Sequence, residues 1–123
     1  IYGCVRYRKS FGVEVESALT VLSTVTSRPT ADRIICDAGF KATGNVSPDP
    51  ELRNISDCAS IKFSAEHGII TLSKGTPQPR VGDTIEFVPG YSDSARVRHE
   101  YLYGVRDGLV ETVWPVIGRG KLQ

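Results

Sequence analysis

The chain has 123 residues, 40% hydrophobic and 24% charged, the ordinary balance of one soluble globular domain. Lys plus Arg number 15 and Asp plus Glu 14, a net charge of +1 that excludes a broad field for steering onto nucleic acid or anionic lipid. No apolar run approaches the roughly 20 residues that cross a bilayer, so no membrane span is predicted.

Ile1, rather than Met, opens the chain, which suggests a start inside a longer gene product. Cys4, Cys36 and Cys58 are odd in number and lack CxxC spacing. That pattern fits small, half-buried thiols in a reducing, cytoplasmic compartment better than a disulfide framework. Asn54-Ile55-Ser56 matches the glycosylation triplet, which is common by chance and has no signal peptide before it.

In chain order, Ala18 to Ser27 is the clearest strand. Leu19, Val21 and Val25 alternate with Thr20, Thr24 and Thr26, and Pro29 and Thr30 end the run. Leu22 interrupts the polar face, so that face is expected to be partly covered. Arg33 to Cys36 is a short second strand. Residues 44–55 hold two prolines, Asn45, Ser47 and Asn54 and read as a loop. Ala59 to Ser64 and Ile69 to Ser73 are paired strands joined by the Ala65-Glu66-His67-Gly68 turn. After a Pro/Gly loop over 75–82, Asp83 to Val88 is a further strand. Ser92 or Asp93 is expected to cap one helix running to about Glu100. Tyr101 to Trp114 is a hairpin, because Asp107-Gly108 supplies the two positive-φ positions of a type I′ turn. Pro115 stops the ladder, since it cannot donate a backbone N–H. The predicted fold is mainly β, a small closed or nearly closed β-barrel with one short helix, which also solves the edge-strand problem.

The chemistry-bearing inventory is thin. Gly118-Arg119-Gly120-Lys121 precedes no helix and is not a phosphate loop, and there is no GxSxG elbow. Only two histidines occur, His67 and His99, too few for a dense zinc site. Lys9, Lys41, Lys62, Lys74 and Lys121 lack the phosphate-loop context of a Schiff-base lysine. By itself the chain does not read as a catalyst. Two turns are candidates. In Pro89-Gly90-Tyr91-Ser92-Asp93-Ser94, backbone N–H groups and a carboxylate can hold an ion or a substrate group, or Asp93 can simply cap the helix. In Glu66-His67-Gly68, a His that titrates near neutrality can do acid–base work, or the turn is merely solvated. His99 beside Glu100 is expected to pack at a helix end.

Five segments in order resemble one family. Ala18 to Val25 resembles its "AL.VLATV" strand, Asp37 to Ala42 its "DAG.KA", and Ser64 to Gly68 its "SEEHG". Val88 to Asp93 resembles its "P.H.C" or "P.H.D", and Tyr103 to Gly108 with Val113-Trp114-Pro115 its "Y.VRDG…WP". The family is that of D-threonine aldolase, D-serine dehydratase and related 3-hydroxy-D-amino-acid lyases. The resemblance implies an N-terminal PLP-binding barrel, absent from this chain, to which residues 1–123 form the single C-terminal β domain that closes the active site. It also implies a small-molecule D-amino-acid substrate, a homodimer, and retro-aldol cleavage or dehydration. In the family, the His and the Cys or Asp of the fourth segment bind a divalent metal beside the substrate β-hydroxyl. Here Tyr91 stands at the His position and Asp93 matches the Asp variant, leaving Asp93 as the one metal-ligand residue. Tyr91, Asp93 and His67 are therefore the candidate catalytic residues, with Tyr91 taking over at the substrate hydroxyl. A binding or structural β-barrel without chemistry and a PLP racemase-like relative are the alternative readings.

Overall fold

The structure, a computed structural model, describes residues 3–75 and 77–121. Three short helices and eight strands are ordered along the chain: α1 (Val5–Phe11), β1 (Val21–Thr30), β2 (Arg33–Cys36), α2 (Phe40–Thr43), β3 (Glu51–Leu52), β4 (Cys58–Phe63), β5 (Gly68–Leu72), β6 (Thr84–Val88), α3 (Ser92–Arg96), β7 (Tyr101–Arg106) and β8 (Leu109–Pro115). Six strands form one antiparallel sheet in the order β3-β6-β1-β2-β5-β4. Its two edges, β3 and β4, are consecutive in sequence. The link over 53–57 keeps them close, because so few residues reach no further than about 3.3–3.6 Å each. The sheet therefore curls into the nearly closed barrel that the strand pattern predicts.

Period-2 alternation fills the interior. Val21, Ser23 and Val25 of β1 are buried while Leu22 and Thr26 face outward. Ile34 and Cys36, Ile70 and Leu72, and Ile85 and Phe87 add the inward rows of β2, β5 and β6. Phe63 meets Phe87 edge-on at 5.6 Å, an aromatic pairing that adds to the burial of both rings. Pro29 lies within β1, where the register against β2 shifts between Ser27 and Thr30, so its missing N–H breaks no regular rung.

Three expectations are corrected. The helix after β6 ends at Arg96, not near Glu100, and is one of three helices rather than the sole one. Tyr91 occupies its N-cap, with no side-chain capping bond, so neither Ser92 nor Asp93 caps it. On the outer face of β1 Leu22 itself is 65% exposed, while Thr20 and Thr24 beside it are half-buried.

The β7–β8 hairpin forms a sheet of its own. Asp107 (φ 50°) and Gly108 (φ 77°) make its tight turn, and Arg106 pairs with Glu111 across it. Tyr101, Tyr103, Val105, Leu109, Val110, Val113 and Trp114 are all exposed. They lie on both faces of the hairpin, Tyr101, Tyr103, Val105, Val110 and Val113 on one and Leu109 and Trp114 on the other, and a lone two-stranded hairpin is marginal in water.

The fully buried Phe87 ring anchors the barrel. Phe87→Ala is predicted to cost about 3–5 kcal/mol of folding free energy, and Leu22→Ala to stay within about 0.5 kcal/mol, in urea unfolding of this chain.

Candidate functional site

The buried end of β6 delivers the chain to Pro89 and Gly90, which are themselves buried. A Cβ on Gly90 would sit 1.7 Å from the Pro48 carbonyl oxygen, so only glycine lets this turn pass against the 46–48 backbone. Helix α1 then fastens the turn from the other side. Its first N–H groups have no partner within the helix, and they donate to the turn: Val5 N–H to Pro89 O at 3.2 Å and Arg6 N–H to Gly90 O at 2.9 Å. Ser92, buried, lies beside the buried Cys4 thiol. At its far end α1 is held to β3, where Arg8 and Lys9 both pair with Glu51.

Tyr91 emerges from this clamp in an extended conformation (φ −135°, ψ 116°). The Ser94 hydroxyl donates to its carbonyl at 3.1 Å, and the Arg6 guanidinium lies over its ring, 5.0 Å from the centroid. The Asp93 carboxylate lies beside its phenol. Asp93 also faces Arg96 at 3.8 Å. The Asp93 hydrogen bond, then the Asp93 charge, push the Tyr91 phenol above its ordinary value of 10, while Arg6 pulls it down more weakly. Tyr91 is thus a protonated donor facing a carboxylate acceptor, with two guanidinium groups alongside.

His67 lies apart from this pair. It is exposed on the turn between β4 and β5, and that turn serves α2 as Pro89-Gly90 serves α1. Phe40 N–H donates to Ser64 O at 2.9 Å and Lys41 N–H to Ala65 O at 3.1 Å, while Lys41 pairs with Glu66. Among the described residues no hydrogen bond or ring contact joins His67 to Tyr91 or Asp93. His99 packs as expected, its Nε2 3.0 Å from the Ala42 carbonyl oxygen, tying the residues after α3 to α2. A cleft of about 750 Å³ opens at the other end of β6 among Leu52, Ile55, Pro79, Asp83 and Ile85, and Tyr91 does not line it. Among the described residues no three of His, Cys, Asp and Glu gather as a metal site would require.

The model of the family described as "Putative serine dehydratase domain" matches residues 18–105. The chain belongs to this serine dehydratase domain family. The domain is 40% identical over 108 residues to a 3-hydroxy-D-aspartate aldolase of Paracoccus denitrificans, and 35% identical over 105 residues to a D-threonine aldolase of an Arthrobacter species. Those matches cover 88% and 85% of this chain but 27% and 28% of the relatives, so the chain spans under a third of their length. The crystal structure of D-threonine aldolase from Filomicrobium marinum matches with a TM-score of 0.84 at 29% identity, over 90% of this chain and 30% of that one. D-threo-3-hydroxyaspartate dehydratase from Delftia sp. HT23 shares the fold, with a TM-score of 0.64 at 19% identity over 80% of this chain and 32% of that one.

Helix α1 of the domain, and Arg6 with it, was not legible in the sequence. Cys4 is no standard cap, and Val5–Phe11 carries no apolar period. The available signal was Gly12 following Arg8 and Lys9, the basic last turn and left-handed glycine that close a helix.

The Asp93 carboxylate beside Tyr91 predicts a late phenol titration. By absorbance near 295 nm, the transition missing from Tyr91→Phe should lie above that of an ordinary tyrosine, and Asp93→Asn should move it down. Because the folded pKa is the raised one, this contact stabilises the fold below pH 10 and is lost as pH climbs through the higher folded value.

Proposed function

We propose that this chain is the closing domain of a PLP-dependent lyase acting on β-hydroxy D-amino acids, by retro-aldol cleavage or dehydration. The observation that carries the proposal is a turn fastened from two sides that presents Tyr91 with the Asp93 carboxylate beside it, at the matched positions of the family pattern. The relatives' names support the substrate class, since 3-hydroxy-D-aspartate and D-threonine are both β-hydroxy D-amino acids.

PLP does not fit this chain alone. Lys9 and Lys41 are surface residues committed to Glu51 and Glu66, with no phosphate-binding loop beside them. The cofactor and its lysine are assigned to an N-terminal barrel of the same polypeptide, the partner of this domain in a homodimeric enzyme. The relatives' extra length accommodates such a barrel, and the exposed hairpin and Leu22 supply apolar surface for it to cover. Three unpaired thiols support a cytoplasmic setting.

Both reactions require a proton to move at the β-hydroxyl. In dehydration the hydroxyl leaves as water, and Tyr91, held protonated, is the donor. In retro-aldol cleavage the hydroxyl gives up its proton as the Cα–Cβ bond breaks, and the Asp93 carboxylate receives it, directly or through the phenol. His67, on the separate β4–β5 turn, is a secondary acid–base candidate.

A divalent cation does not fit the Tyr91–Asp93 pair. A protonated phenol brings a metal no charge, the Asp93 carboxylate is engaged by Tyr91 and Arg96, and one carboxylate is a poor site for such an ion. The proton chemistry therefore falls to Tyr91 and Asp93 themselves.

In the intact enzyme, Tyr91→Phe is predicted to lower kcat by roughly 10²–10⁴-fold, the range of a lost general acid or base. Metal analysis of the same enzyme is predicted to find no stoichiometric ion removed by Asp93→Asn. Unchanged turnover in Tyr91→Phe, or an ion that leaves with Asp93, contradicts the assignment.

A further inference from the structure

Arg6 is the one cation of α1 that the fold places at the candidate site. Arg8 and Lys9, on the same helix, are both neutralised by Glu51. Among the described residues no carboxylate pairs with Arg6. Its guanidinium rests instead on the face of Tyr91, 5.0 Å from the ring centroid. Its backbone is pinned there by the bond from Arg6 N–H to Gly90 O, so its place beside Tyr91 is set by the main chain as well as by ring stacking. Around Tyr91 the charges are Arg6 and Arg96 against Asp93 alone, one positive charge in excess. A half-buried guanidinium without a counter-charge, beside a polar turn, is suited to planar two-point recognition of a carboxylate.

Resting on the lyase assignment above, we infer that Arg6 selects substrates bearing a second carboxylate on the β-carbon, the 3-hydroxy amino diacids, over neutral β-hydroxy amino acids. If Tyr91 and Asp93 handle the β-hydroxyl, a cation stacked on the Tyr91 ring lies beside the other substituent of the same carbon. A carboxylate there supplies the missing negative charge, and a methyl or aryl group does not.

The test is a comparison of kcat/KM for 3-hydroxy-D-aspartate and D-threonine in the full-length enzyme, in wild type, Arg6→Gln and Arg6→Lys. Wild type is expected to prefer the diacid. Arg6→Gln should lose about ten- to a hundredfold more on the diacid than on D-threonine, the size of one lost charge-assisted hydrogen bond. Arg6→Lys should recover part of that loss, and retained turnover of D-threonine shows that the variants are folded. Equal losses on both substrates would make Arg6 a positioning residue for Tyr91, or a ligand of the shared α-carboxylate, and would overturn the inference while leaving the lyase assignment intact. A wild-type preference for D-threonine would overturn it as well. Turnover of neither substrate by wild type would remove the lyase assignment and this inference together.

Discussion

The turn that carries Tyr91 has no regular structure of its own, and its geometry is imposed by two neighbours. On one side, Gly90 presses against the Pro48 carbonyl at a distance that no side chain permits. On the other, α1 uses its unsatisfied N–H groups to hold the carbonyls of Pro89 and Gly90. Neither contact survives unless β6 ends where it does, and β6 is fixed by burying Ile85 and Phe87 in the curled sheet. The barrel core, the β6 terminus and the clamp are thus successive conditions for placing one phenol.

The same device recurs at α2, whose first N–H groups take the carbonyls of Ser64 and Ala65. Both helices are too short to be stable alone, since nucleation costs more than a turn or two of helix returns. Docking their N-termini on loop carbonyls satisfies donors that would otherwise be stranded and stiffens the loops in return. The consequence for chemistry is preorganisation. A phenol and a neighbouring carboxylate on a fastened turn need little rearrangement to act on a third oxygen.

Much of this was legible in the sequence where the physics is local. Alternation located β1, runs of strand-forming residues between turns located β2, β4, β5 and β6, and Asp107-Gly108 fixed the hairpin turn. The two-residue β3 was hidden in a loop rich in prolines, because its pairing to Val88 and Phe87 comes from a distant strand. α1 and α2 were hidden for a similar reason, as their stabilising partners lie far along the chain. At the site, Tyr91 and Asp93 stood out because they occupy the matched positions of the family pattern. The nearness of the Asp93 carboxylate to the phenol, and its pairing with Arg96, did not follow from spacing. The stacking of Arg6 on Tyr91 was not readable at all, since it depends on a helix with no cap signal meeting a turn at the opposite end of the sequence.

In the proposed enzyme, this domain brings the Tyr91 oxygen to the β-hydroxyl of a substrate held by another domain. The most direct measurement is a crystal structure of the intact enzyme with a bound, unreacted β-hydroxy D-amino acid. The account predicts the Tyr91 oxygen within hydrogen-bond distance of that hydroxyl, about 2.5–3.0 Å. A Tyr91 side chain turned to bulk water, with the hydroxyl held by other groups, would contradict it.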